Sequence, residues 1–218
     1  MKNYTFPKWT ELPEIDLYMD QVITYINEKL KDTYFYDEKF ITKAMINNYV
    51  KTGIVHPPVK KHYTKSHLAY FLVLTILKRC YSMQQITSLL HIYTNMKDST
   101  IEQAYDLFIS RFEDSLNDVF KNNRNTILFE NANSEQELMD NVIQCIIYKM
   151  HTEYTLKSYE TKKRKTISTL FIHAKRKMYN VHLPFISQLQ QSIHKDLQLY
   201  PIEYLLMYHI TFVLIHPF

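Results

Sequence analysis

Lys43, Asn47 and Lys51 recur four residues apart, so on a helix they form one row, with an amide between two ammonium groups. An asparagine amide offers a donor and an acceptor that match the major-groove edge of adenine, and flanking lysines can reach phosphates. Asn48 carries the same amide but falls to the side of the row, which makes it the weaker base reader. Further along, Lys60, Lys61, His62 and Lys65 follow the adjacent prolines Pro57 and Pro58 and supply a second group of phosphate contacts. Each residue also has a plainer reading. The asparagines could be solvated or cap a helix, the lysines could make an ordinary charged surface, and His62 and Tyr63 could anchor a loop on the core.

The surroundings favour the anion-binding alternative. Residues 39–97 carry 9 basic side chains and no carboxylate over 59 residues, whereas a typical surface intersperses both signs. On either side the sign reverses: residues 1–38 have 4 basic and 8 acidic groups, and residues 98–140 have 3 basic and 10 acidic. Residues 141–218 return to 10 basic against 4 acidic, with a cluster between Lys157 and Lys177. That cluster suits nucleic acid, an acidic protein surface, or pairing with Asp106, Glu113, Asp114 and Asp118. The overall formal charge of +4 would not by itself imply a polyanionic partner.

Composition removes several other classes. The chain of 218 residues has one glycine, Gly53, so Gly-rich phosphate loops and dinucleotide fingerprints are excluded. Ten histidines and two cysteines never adopt the close spacing of a structural zinc site, and His56, His62 and His67 lack a ligand pattern. No serine elbow or His-Glu metalloprotease helix is present, and Asp114 with Asp118 is simply a solvated pair. No cofactor, metal or enzymatic activity is expected. Cys80 and Cys145 lie in apolar helical patterns and read as reduced, buried thiols. The apolar stretches Leu68–Leu77 and Leu205–Ile215 are shorter than the roughly 20 residues that span a bilayer, so a soluble cytoplasmic protein is expected.

Helical periodicity dominates the pattern. Ile15, Met19, Val22, Ile23, Ile26 and Leu30 form one stripe. Thr42 reads as the N-cap of a short helix over about Lys43–Thr52, with Ile41 and Ile46 at staple spacing and Gly53 just past its end. The segment Gly53–Tyr63 reads as a basic loop. Thr64 can cap a helix to about Arg79, and Ser82 with Gln85 can box another ending near Leu90. Ser99 or Thr100 starts a helix to about residue 121, and Asn122–Asn133 reads as a loop with Thr126–Phe129 as a possible short strand. Ser134 with Glu137 starts a helix past Leu156, and Lys162–Lys165 interrupts the pattern. Helices over Ile167–Tyr179 and Phe185–Leu199 follow, broken at Pro184. Pro201 opens a last helix, in which Thr211–Ile215 would equally suit a strand.

The run ITKAMINNYVKTGIVHPPVKKHYTKSHLAYFLVLTILKRCYSMQQITSLL resembles the winged helix-turn-helix headpiece of MerR-like regulators. More closely, DLYMDQVITYINEKL followed by MINNYVKTGIVHPPVKKHYTKSHLAYFLVLTILKR resembles the family called domain of unknown function 1836, described as candidate bacterial transcription factors, over roughly residues 9–115. The resemblance implies that Ile41–Val50 is a recognition helix and Gly53–Tyr63 its wing, with Ile46, Tyr49 and Gly53 in packing and turn positions. Asn47 stands where the MerR-like proteins usually place an arginine.

The expectation is therefore an all-α protein: a helical headpiece over 1–97, with the winged helix-turn-helix at about 40–91, and a C-terminal helical dimerisation or regulatory region over 98–218. Its expected function is sequence-specific binding of double-stranded DNA by a homodimer that regulates transcription, through Lys43, Asn47, Asn48, Lys51, Lys60, Lys61, His62 and Lys65. A non-enzymatic protein-interaction adaptor is the alternative. No feature identifies a small-molecule effector.

Overall fold

The computed structural model describes residues 3–36, 40–94, 100–122, 125 and 128–193, with side chains to residue 173 apart from that of Thr94. It contains β1 (Leu17–Tyr18), α1 (Met19–Leu30), α2 (Lys43–Lys51), β2 (His62–Tyr63), α3 (Lys65–Leu77), α4 (Met83–Thr94), α5 (Ile101–Phe120) and α6 (Ser134–Ile193). Single 3-10 turns lie at Trp9–Glu11 and Lys31–Thr33. The mainly helical expectation holds. Two compact units divide the chain, Met1–Glu160 and Thr161–Phe218, so the change of charge near residue 97 lies within the first.

Local chemistry places the helix starts. Thr42 Oγ1 accepts from the Met45 amide at 3.3 Å, and the staple residues Ile41 and Ile46 are both buried. Ser82 with Gln85, and Thr100 with Gln103, exchange reciprocal capping bonds of 2.9 to 3.3 Å. At α6 the box is shifted by one residue from the expected Ser134 and Glu137. Asn133 and Gln136 form it instead, at 2.9 and 3.1 Å, and asparagine is at least as good an N-cap as serine. Ser99, the other start considered for α5, lies outside the described residues.

The first unit has a continuous apolar core. Val22, Ile26 and Leu30 of α1 meet Ile46 and Tyr49 of α2 and nearly every residue of α3, whose burial on all sides explains its lack of a polar face. The same core continues through Phe108, Ile109, Phe112 and Leu116 of α5 and through Val142, Ile143, Ile146, Ile147 and Met150 of α6.

Two features were not expected. The extended N-terminal segment lies along α5, where Asn117 bonds both the amide and the carbonyl of Tyr4 at 2.9 Å. Glu113 takes the Phe6 amide at 3.0 Å, Asp106 takes the Trp9 amide at 2.7 Å, and Tyr105 donates to the Pro7 carbonyl at 2.7 Å. Asp106 and Glu113 therefore satisfy backbone donors of residues 9 and 6. The second feature is the antiparallel pairing of β1 with β2, Leu17 opposite Tyr63 and Tyr18 opposite His62.

The helix assignment of α6 also runs through Lys162–Lys165 and Pro184, where breaks were expected. Lysine and arginine are good helix formers, so a charged run ends an apolar stripe without ending the helix. Helix continues from Phe185 to Ile193, and its expected continuation to Leu199, with the expectations for Pro201 and Thr211–Ile215, lies outside the described residues. So do Thr126 and Ile127 of the short strand considered above, while Leu128 and Phe129 are neither helix nor strand.

Candidate nucleic-acid interface

The short helix α2 is anchored from one side and open on the other. Ile46 and Tyr49 are buried, whereas Lys43, Asn47, Asn48 and Lys51 are all exposed. Its C-terminus closes with two bonds: Gly53 N–H to the Val50 carbonyl at 3.1 Å and Ile54 N–H to the Tyr49 carbonyl at 3.1 Å. That closure needs a left-handed residue, and Gly53 takes it with φ 75°. No atom lies within 4 Å of where a Cβ would stand, so glycine is required there by backbone conformation rather than by space.

The expected wing is a tight hairpin. His62 N–H bonds the Val59 carbonyl at 2.9 Å, and the two residues between them, Lys60 and Lys61, have φ 50° and φ 67°. Positive φ at both central positions defines the type I′ turn, which ordinarily takes asparagine and glycine. Two exposed lysines hold it here, at a cost of roughly 1 kcal/mol or more each. The turn therefore carries two ammonium groups at its tip in a conformation that local preference alone would not select.

His62 does not stand free. Its Nδ1 lies 3.0 Å from the Lys60 carbonyl, and its ring lies 4.4 Å from that of Tyr18 across the sheet. Tyr63 is buried on the opposite face, as expected for an anchor. Below the hairpin, Thr64 caps α3 with an unusual partner: the Thr64 amide donates to His67 Nδ1 at 3.0 Å, and His67 Nε2 meets the His56 carbonyl at 3.1 Å. Only the neutral ring with its proton on Nε2 satisfies both bonds. Burial pushes the His67 pKa below its ordinary value in the same direction.

Carboxylates from the N-terminal segment reach into this acid-free stretch. Lys43 Nζ is 2.9 Å from Asp20, in a pair exposed at both ends. Lys65 pairs with Glu14 and lies over the Trp9 ring at 5.5 Å, leaving its side chain 16% exposed. Lys65, one of the expected phosphate contacts, is thus covered by Glu14 and Trp9 in the free protein. Among the described residues, no ion pair holds Lys51, Lys60 or Lys61.

Two arginines elsewhere are structural. Arg79, 6% exposed, bonds Glu153 at 3.1 Å and the Thr33 carbonyl at 2.6 Å and stacks on Tyr34 at 3.6 Å. Arg111 pairs with Asp140 at 2.8 Å and lies 3.8 Å from the Phe129 ring. Neither role was legible, because each partner lies on a different element. Among the described residues no group of three His, Cys, Asp or Glu side chains could hold a metal ion, and no helix is long and apolar enough to cross a membrane.

Residues 7–108 match the model of a family described as Domain of unknown function (DUF1836), which supports the family resemblance read from the sequence. The match ends within α5 and spans every residue of the candidate interface. No curated protein and no solved structure matches the chain.

Proposed function

We propose that the chain is a sequence-specific DNA-binding transcriptional regulator that lays α2 in the major groove, as the recognition helix of a MerR-like winged helix-turn-helix. The observation that carries this reading is the exposed row Lys43, Asn47 and Lys51 on a helix fixed from behind, with a turn beyond it that carries two exposed lysines at its tip. Asn47 reads a base edge, with Asn48 beside it, while Lys51, Lys60 and Lys61 contact phosphates. Lys43 joins them once its exposed pair with Asp20 opens, which costs about 1 kcal/mol or less. One short helix gives limited affinity, so a homodimer places two copies of α2 about 34 Å apart on a two-fold site.

Selection from random duplexes with the intact protein at a fixed salt concentration tests this. The expected result is enrichment of one site, with Asn47→Ala relaxing it by about 1–3 kcal/mol at one base pair. Replacing Lys51, Lys60 and Lys61 by alanine reduces the slope of log affinity against log salt by about 0.9 for each phosphate that is no longer neutralised. Asp20→Asn strengthens binding a few-fold by releasing Lys43. Weak retention of all duplexes alike, unchanged by these substitutions, overturns the reading.

A second reading, a non-enzymatic protein-interaction adaptor, is favoured by a different observation. Tyr18 lies opposite His62, and His62 opposite Val59, so the three share one sheet face. Tyr18 is 56% exposed and Val59 68%, an apolar rim beside the lysine turn. The readings separate on which substitution matters: Tyr18→Ala impairs an adaptor and leaves the phosphate contacts of a DNA-binding protein in place.

A further inference from the structure

The protein's two cysteines are 65 residues apart in sequence and meet in space. Both were expected to be buried, yet Cys145 is exposed and Cys80 half-buried. Cys80 sits in the turn after α3, its amide bonded to the Leu77 carbonyl at 3.1 Å, and its thiol points to the Cys145 carbonyl at 3.7 Å. Three successive turns of α6 grip the same short segment: Cys145 at Cys80, Lys149 at the Arg79 carbonyl, and Glu153 at the Arg79 guanidinium, 3.1 Å away. This ladder fixes the register of the turn on α6, so the approach of the Cys80 thiol to the Cys145 backbone is held by the packing around it.

We propose that Cys80 and Cys145 form an oxidisable pair, a site at which a hydroperoxide closes an intramolecular disulfide between the α3–α4 turn and α6. The exposed Cys145 thiolate attacks one peroxide oxygen; an S–O bond forms, the O–O bond breaks, and hydroxide leaves to be protonated to water. Cys80 then gives up its proton and attacks the Cys145 sulfur; the S–S bond forms, the S–O bond breaks, and a second water leaves. Two thiols are oxidised by two electrons and one hydrogen peroxide is reduced to two waters. A dithiol reverses the step.

The order of attack follows from the environment. Burial pushes the Cys80 thiol up to about 12, with the neighbouring Cys145 adding to the rise and Lys149 and Arg79 opposing it, so Cys80 is the poorer first nucleophile. Cys145 adds to the rise at both Cys80 and Tyr81, as a neighbour of both side chains does. Because the Cys80 sulfur already lies 3.7 Å from the Cys145 backbone, closing the bridge asks for rotation of the two side chains.

The test is titration of the intact reduced protein with equimolar hydrogen peroxide, followed by thiol counting and peptide mapping without reductant. The expected result is loss of both thiols in one chain, a peptide linking Cys80 to Cys145, and restoration by dithiothreitol. In Cys80→Ser the Cys145 sulfenic acid persists and is trapped by dimedone, whereas in Cys145→Ser peroxide consumption slows at least tenfold. A Cys145 sulfinic acid beside an intact Cys80 thiol, a Cys145 bridge between two chains, or thiols that survive the peroxide overturns the proposal. No duplex is needed for any of these readouts, so the thiol pair and the DNA reading succeed or fail separately.

Discussion

His67 shows how one side chain can link a helix cap to a pH response. Its neutral ring closes the N-terminus of α3, a role that Gln85 and Gln103 fill on α4 and α5. Because its pKa is lowered in the folded protein, the unfolded chain binds more protons as pH falls through the ordinary histidine range near 6.5. Stability at this site is therefore present at neutral pH and declines on acidification through that range, until the folded ring also protonates. A thermal melt is expected to show a lower midpoint at pH 5.5 than at pH 7.5, with a smaller drop in His67→Gln. An equal drop in both proteins removes His67 from the account. The sequence makes the exposure of Asn47, Asn48 and Lys51 legible, since their spacing opposes Ile46 and Tyr49. It does not reveal the partners of Lys43 and Lys65, because Asp20 and Glu14 are brought to them only by the packing of α1 and β1.

Among the elements, the helices were readable where a cap, a staple or a box closes within four residues, as at Thr42, Ser82 and Thr100. The two strands were not readable, since two residues are too short for a pattern and Leu17 finds Tyr63 across more than 40 positions. The hairpin between Val59 and His62 was concealed for a related reason: its central residues are lysines instead of the glycine or asparagine that signals such a turn. Replacing Lys60 with Asn and Lys61 with Gly is expected to raise stability by about 1–2 kcal/mol, because both residues then favour the left-handed region. Chemical denaturation measures the gain. The same double variant is expected to lose duplex affinity, and a variant that loses stability instead would show that the turn is not under local strain.

Over the whole molecule, the blocks of charge were legible and their meaning was only partly so. The sign change near residue 97 marks no gap in the core, because α3 packs on α5 and both belong to one buried cluster. Leu72→Ala in α3 is expected to cost about 2–5 kcal/mol, and the loss should be visible at Trp9, whose ring rests against Tyr105 of α5. A Trp9 fluorescence transition unmoved by that substitution would make the headpiece a separate folding unit. The bonds from Asp106 and Glu113 of α5 to amides of the N-terminal segment were not legible, because that segment reaches α5 only in the fold. The chain has a single glycine, and among the described residues it reaches the left-handed region at Lys60, Lys61 and Asn131 with side chains in place. At positions of ordinary backbone conformation, each residue that stands in place of a glycine removes roughly 0.4–1 kcal/mol of disorder from the denatured ensemble. Some of the native state's advantage is therefore owed to an unfolded chain with fewer conformations to lose.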